Sequence, residues 1–184
     1  MRIRVTGSSG LIGSEAVEYY ASQGFEVDGI DNNMRKVFFG ERGDTSWNLE
    51  RLKKKYKKFQ HHEIDIRSFE QIETLFKIEK FDVIIHCAAQ PSHDKAAEIA
   101  LIDFNVNANG TINLLEAMRR YMPESVFIHM STNKVYGDAP NELKLKELDT
   151  RWDYADPKDY NGIREDFRID RSTHSLFGAS KLAA

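Results

Sequence analysis

"TGSSGLIG", residues 6–13, sets Gly7, Gly10 and Gly13 at a Gly-x-x-Gly-x-x-Gly spacing, and the reading of that turn decides the fold. Before it, "RIRVTG" (2–7) reads as a strand; after it, "LIGSEAVEYYASQG" (11–24) reads as a helix ended by Gly24. A glycine turn between strand and helix lets the backbone come close to a pyrophosphate. The helix start adds unpaired N–H groups and the positive end of its dipole. The spacing alone also fits a purely structural turn. The next apolar run, "FEVDGID" (25–31), ends in Asp31, eighteen residues after Gly13, where a carboxylate can accept from both hydroxyls of a ribose. Turn and partner together predict a dinucleotide site, with Ser9, Leu11, Ile12 and Asn32 beside the glycines and Asp31. The Asp31 charge repels a 2′-phosphate and favours NAD over NADP, whereas Arg35 and Lys36 pull the other way.

The bulk properties narrow the classes. A chain of 184 residues is long enough for one core. A net charge of −3 gives no nucleic-acid-binding surface. The one basic run, "RLKKKYKKF" (51–59), puts Leu52, Tyr56 and Phe59 at i, i+4 and i+7, the pattern of an amphipathic helix with solvated lysines. The single cysteine, Cys87, excludes an internal disulfide and reads as a buried thiol in a reducing compartment. No apolar stretch reaches the length of a membrane span, and the first strand begins at residue 2, so a cytoplasmic protein without a leader is expected. The histidines are scattered without metal-ligand spacing, and no metal is expected.

Strand and helix patterns then alternate along the chain. A helix is expected around 47–57, a strand at 59–66 and a helix at 68–79 with Ser68 as its cap. "FDVIIHCAA" (81–89) has the continuous apolar run of a strand covered on both faces. A long helix over about 96–121 and a strand at 125–132 follow. Asp65 and Ile66 close the third strand, where an adenine would lie; for Asp65 a cap before the helix at 68 is an equal reading. The rhythm predicts an α/β fold, a Rossmann-type doubly wound parallel sheet with strand order 3-2-1-4-5, over a single domain 1–184. Within it, 137–171 is polar and turn-rich and reads as a long active-site loop, with Trp152, Tyr154 and Tyr160 arguing for order. A last helix starts near Ser172. Arg2 and Arg4 sit oddly in a central strand, where Arg4 reaches an edge or pairs with an acid.

The glycine turn, "HCAAQ" (86–90), "NANGT" (107–111), "STNKVYGD" (131–138) and the lysine of "FGASK" (177–181) together resemble the extended short-chain dehydrogenase/reductase family. Within it the chain is similar to the nucleotide-sugar epimerases. The resemblance runs the whole length but matches roughly their N-terminal half, so the small C-terminal substrate domain is expected to be absent. It implies bound NAD, a nucleotide-linked sugar as substrate, and a homodimer built on the helices at 96–121 and 172–184. It also implies roles. Ala88, Ala89 and Gln90 would lie on the nicotinamide side of the cofactor, and Lys181 would bond the nicotinamide ribose. Thr132 would bond the reacting sugar hydroxyl, and Asn107, poor helix chemistry that fits a kink or a polar turn face, would support the lysine. Where the family's 4,6-dehydratases carry Asp-Glu, this chain has Asn133-Lys134, which cannot do that acid and base work.

One role is unfilled. The family's tyrosine, four residues before the lysine, takes the hydroxyl proton as hydride leaves the sugar carbon, and this chain has Phe177 there. The candidates to replace it are Lys181 if burial lowers its pKa, and His174, three residues earlier and expected on the same helix face, which also reads as a cap or surface residue. His93 with Asp94 in "PSHDKAA" (91–97) is a further pair or a plain loop, and Tyr136 reads better as packing. The expectation is an NAD-dependent epimerase working through a keto-sugar intermediate. The alternatives are an NAD-binding module without turnover and, behind it, a nucleotide-sugar dehydratase or reductase.

Overall fold

Five short strands pair in parallel in the expected order β3-β2-β1-β4-β5: β1 (Arg2–Thr6), β2 (Glu26–Ile30), β3 (Phe59–His62), β4 (Val83–His86) and β5 (Val126–His129). The computed structural model describes all 184 residues. Alternation of side chains sends Ile3, Val5, Val27 and Ile85 to one face, where they meet Val17 of α1 (Leu11–Ser22) and Leu52 of α3 (Ser46–Lys55). Ile30 and Ile84 face the other way, onto Ile72 and Phe76 of α4 (Phe69–Ile78) and Leu114 of α7 (Gly110–Tyr121). Helices on both faces of a parallel sheet explain the continuous apolar run of β4, Val83–Ile85.

The differences from the sequence reading are local. The strands are shorter than their apolar runs, because residues 63–66 and 87–89 leave the ladder at the C-terminal edge of the sheet. Tyr56 and Phe59 do not continue the basic helix: α3 ends at Lys55, and Phe59 opens β3. A helix absent from the reading, α2 (Met34–Phe39), follows β2. The long helix at 96–121 is three segments, α5 (His93–Glu98), α6 (Ala100–Phe104) and α7, with a π-type turn over Asn105–Asn109. That turn is the local distortion expected at Asn107.

The 137–171 segment carries a small antiparallel hairpin, β6 (Leu145–Glu147) with β7 (Trp152–Tyr154). Trp152 and Tyr160 are exposed, so aromatic burial is not what orders it. Ser172 ties its two ends instead, Oγ donating to Tyr136 O (2.8 Å) and accepting from Ala139 N (2.9 Å). The last helix, α8 (Leu176–Ala183), begins after Ser175, whose Oγ accepts from Gly178 N (3.0 Å). His174 therefore precedes the helix and shares no helix face with Phe177.

Arg4 pairs with acids under the α4 face. Fully buried, it donates to Glu79 (3.0 Å), stacks over Phe81 (3.7 Å to the ring centre) and lies 3.9 Å from Asp28. Arg2 bonds the same two carboxylates. Burial lowers Arg4 to about 10 against the pull of Asp28 and Glu79. Asp28, His62 and Glu79 bring ligand atoms within 4.8 Å of one another, but the two guanidinium groups already supply the positive charge there.

Candidate active site

The strand order reverses between β1 and β4, and a cleft of about 300 Å³ opens over their C-terminal ends. Its floor needs glycine. Gly7 has φ +67°, and a Cβ there would stand 2.7 Å from Ala88 N; at Gly13 a Cβ would stand 2.0 Å from Gly7 O. Helix α1 starts at Gly10 with no side-chain cap and no acid in its first turn, so its free N–H groups and dipole face the cleft unopposed. Leu11 and Ile12 line the same wall.

Asp31 and Asn32 stand at the next strand end. The Asp31 carboxylate accepts from Ser9 N (2.9 Å) and Asn33 N (2.8 Å), one bond to each oxygen, leaving lone pairs free toward the cleft. Lys36 is engaged by Asp44 (3.0 Å) and Glu41 (3.1 Å), so of the two nearby cations Arg35 alone lines the cleft. Asp65 and Ile66 line the far end. Asp65 also accepts from Arg67 N (2.9 Å) and pairs with that side chain, bracing the turn before α4, whose cap is Ser68. Burial works against its charge, but the Arg67 bonds outweigh burial and hold it below the usual carboxylate range. Met34, Phe38 and Ile64 complete the apolar wall. Met34 and Phe38 belong to α2, which the sequence pattern does not show; the adjacent Phe38-Phe39 pair in a polar stretch is the available signal.

Cys87, Ala88, Ala89 and Pro91 form the end over β4. Cys87 is half-buried against the cleft rather than sealed in the core, and burial pushes its thiol up to about 11 despite the Lys181 charge. Gln90 departs from expectation. Its side chain is fully buried behind the wall, with Nε2 donating to Asp103 (2.8 Å) and Ser92 O (2.9 Å), so it is not available to a cofactor.

Two buried networks join the cleft to α7 and α8. In the first, Asp103 accepts from Ser180 Oγ (2.5 Å), Gln90 Nε2 and Asn107 Nδ2 (3.1 Å), while Asn107 also donates to Ser180 Oγ (3.0 Å) and accepts from Gln90 N (2.9 Å). Asp103 and Ser180 were not singled out from sequence; an acid four residues before Asn107 on one helix face was the only sign. In the second, a neutral His86 ring gives each group one role. Ala88 N–H donates to Thr6 Oγ1 (3.2 Å), which donates to His86 Nδ1 (2.6 Å). His86 Nε2–H donates to Thr111 Oγ1 (2.9 Å), which donates to Asn107 O (2.6 Å). This order requires a neutral ring, and burial, with His129 and Lys181 nearby, lowers His86 to about 3.

A pH dependence follows. The unfolded chain protonates His86 near 6.5 and the folded chain only near 3, so stability is lost as pH falls through that window. Urea unfolding is expected to show a loss on the order of 2 kcal/mol from His86 between about pH 7 and pH 5. His61 and His129, also lowered by burial, act in the same direction. The variant His86→Gln, which keeps a donor and an acceptor without titrating, is expected to flatten that slope.

At the end of β5, Lys181 Nζ donates to Met130 O (3.0 Å), two residues before Thr132, whose Oγ1 accepts from Lys134 N (3.3 Å). Burial pulls the Lys181 ammonium below its usual range, against the opposing fields of Asp103 and Cys87. Gly178 lets α8 approach, since a Cβ there would stand 2.8 Å from Lys134 O. Thr132, Asn107 and Lys181 are thus brought around one end of the sheet. His174 is not part of that group: its ring nitrogens face Ser172 O (3.0 Å) and Val135 O (2.9 Å).

Residues 3–161 match the model of the NAD dependent epimerase/dehydratase family. The chain belongs to this family. It is 34% identical to CDP-paratose 2-epimerase of Salmonella typhi over 184 residues, all of this chain and 51% of that protein. It is 31% identical to UDP-glucuronate 4-epimerase of Thermodesulfobacterium geofontis, over 79% of this chain and 44% of the relative. Among solved structures it superposes on the UDP-glucose 4-epimerase of Thermus thermophilus in complex with NAD with a TM-score of 0.67 and 29% identity, over 100% of this chain and 48% of the other. The chain spans about half the length of the curated relatives it matches. The cofactor of the family is NAD, and the cleft fits it: a glycine floor with no room for a Cβ, a bare helix start and a carboxylate with free lone pairs.

Proposed function

We propose that this chain carries the NAD-binding part of a nucleotide-sugar epimerase similar to CDP-paratose 2-epimerase, acting at C2 of a nucleotide-linked sugar. The observation that carries the reading is the convergence of Lys181 and Thr132 on the end of β5, beside the Ala88–Ala89 wall of the cleft. NAD, when bound, supplies hydride acceptance from a sugar carbon and its return to the opposite face. The chain's own residues do the rest. Asp31 accepts from a ribose, the α1 start binds the pyrophosphate, and Lys181, held by Met130 O, reaches the second ribose. Thr132 presents its hydroxyl to the reacting sugar oxygen, and the Asp103–Asn107–Ser180 network fixes the turn behind Lys181. The exposed Leu101, Phe104 and Ile112 on α6 and α7 support the homodimer.

In the complete product of the gene, NAD is expected to copurify, and CDP-linked sugars are expected to convert part of it transiently to NADH, read by absorbance. Copurified NAD that no nucleotide sugar reduces would leave the second reading, a binding module without turnover. Phe177, mostly buried and lacking a hydroxyl, is the observation that favours that reading.

A further inference from the structure

Position 177 has no proton acceptor, but a neighbour does. Helix α5 packs against α8, and the His93 ring meets the Phe177 ring edge-on, 6.5 Å between centres. His93 opens α5 two residues after Pro91, which with Ala88 and Ala89 lines the cleft, and its side chain is half-exposed. Its Nδ1 lies 3.4 Å from Asp94 Oδ1, and its Nε2 has no partner. The other imidazoles near this end are occupied or enclosed. His174 faces two carbonyls, His86 is locked between two threonines, and the His129 nitrogens are buried. On the helices packed against α5, Asp103 of α6 is committed to Ser180, Gln90 and Asn107, and Lys181 of α8 donates to Met130 O with its remaining N–H groups left for the ribose.

We infer that His93 is the proton acceptor of this site, placed by the Phe177 ring and oriented by Asp94; the inference rests on the epimerase reading. As a sugar carbinol is oxidised with NAD⁺ as the oxidant, the O–H bond breaks and the proton passes to His93 Nε2. The electron pair left on oxygen becomes the second bond of the ketone, and the carbon's hydrogen leaves as hydride. Reduction of the ketone reverses each transfer, and the imidazolium returns the proton to oxygen. Phenylalanine at 177 then serves as an apolar wall for a ring that supplies the chemistry from the next helix.

The test uses the complete gene product. His93→Gln is expected to lower epimerisation by roughly 10²–10⁴-fold while leaving NAD content and nucleotide-sugar affinity unchanged. Turnover within about threefold of the parent would overturn the role of His93 and leave the epimerase reading standing. A parent protein with no turnover on any nucleotide sugar overturns both together. A second readout needs no turnover. In the cofactor-free protein at alkaline pH, ring-¹⁵N spectra are expected to show His93 as the Nδ1–H tautomer, and Asp94→Asn is expected to shift it toward Nε2–H. A parent ring already protonated at Nε2 has no acceptor there and contradicts the proposal.

Discussion

Gly13→Ala is expected to abolish NAD retention and to lower the unfolding free energy by about 1–3 kcal/mol. The added Cβ would stand 2.0 Å from Gly7 O, and the obstacle is backbone, so no rotamer change relieves it. Gly7 cannot retreat easily, because its own Cα already lies against the Ala88 backbone, where a Cβ would be 2.7 Å from a nitrogen. The displacement therefore falls on the floor of the cleft, and NAD affinity should drop at least about a hundredfold, equivalent to roughly 2.7 kcal/mol. Gly10→Ala is the internal control. Its Cβ would meet Gly7 O at 3.3 Å, a contact that a shift of a few tenths of an ångström relieves. Calorimetric titration with NAD and urea unfolding on both variants would separate steric loss of the floor from a general dislike of alanine in the turn.

The second large effect is expected at Asp103. Asp103→Ala removes a buried acceptor shared by Ser180, Gln90 and Asn107; Ser180 can turn to Phe177 O and Asn107 keeps Gln90 O and Ser180 Oγ, so one N–H of Gln90 is left without a partner. The expected loss is about 1–3 kcal/mol, the scale for leaving a buried donor unsatisfied. Asp103→Asn should cost far less. Its amide oxygen can take both bonds from Gln90 and Asn107, and Ser180 can turn its proton to Phe177 O, 3.0 Å away, while accepting from the new NH₂. The charge is nevertheless gone. Asp103 is what opposes the lowering of Lys181 by burial, so in Asp103→Asn the lysine pKa falls further and its ammonium is lost at lower pH. Unfolding curves report the first effect and the ¹⁵N titration of Lys181 the second. Equal stability loss in both variants would contradict the network's proposed division between hydrogen bonding and charge.

The sheet was legible because a doubly covered parallel strand has to be apolar almost throughout, and each such run here lies between helical periods. Gly7, Gly13 and Asp31 were legible for a different reason: their identities are demanded by backbone proximity and by charge, which no packing alternative imitates. What sequence could not show is where a strand stops pairing. "IIHCAA" stays apolar past His86, yet Cys87–Ala89 leave the ladder and turn that apolar surface toward the cleft. His174 was misplaced because Ser172 and Ser175 are both credible caps; Gly178, whose N–H bonds Ser175, selects the second. Asp103 and Ser180 were hidden because a lone acid or serine on a helix reads as surface. Only the tertiary meeting of α6, α8 and the π-type turn buries them. His93 was visible as a residue, but not as the neighbour of Phe177.

The central claim is that this family member supports inversion of a sugar carbon by hydride removal and return. The complete gene product, loaded with NAD, can be given a CDP-linked sugar carrying deuterium on C2 in ordinary water, and the product followed by NMR. The expected result is inversion at C2 with the deuterium kept on that carbon. Inversion with the deuterium lost to solvent, or no inversion of any nucleotide-linked sugar by NAD-loaded protein, would contradict the claim.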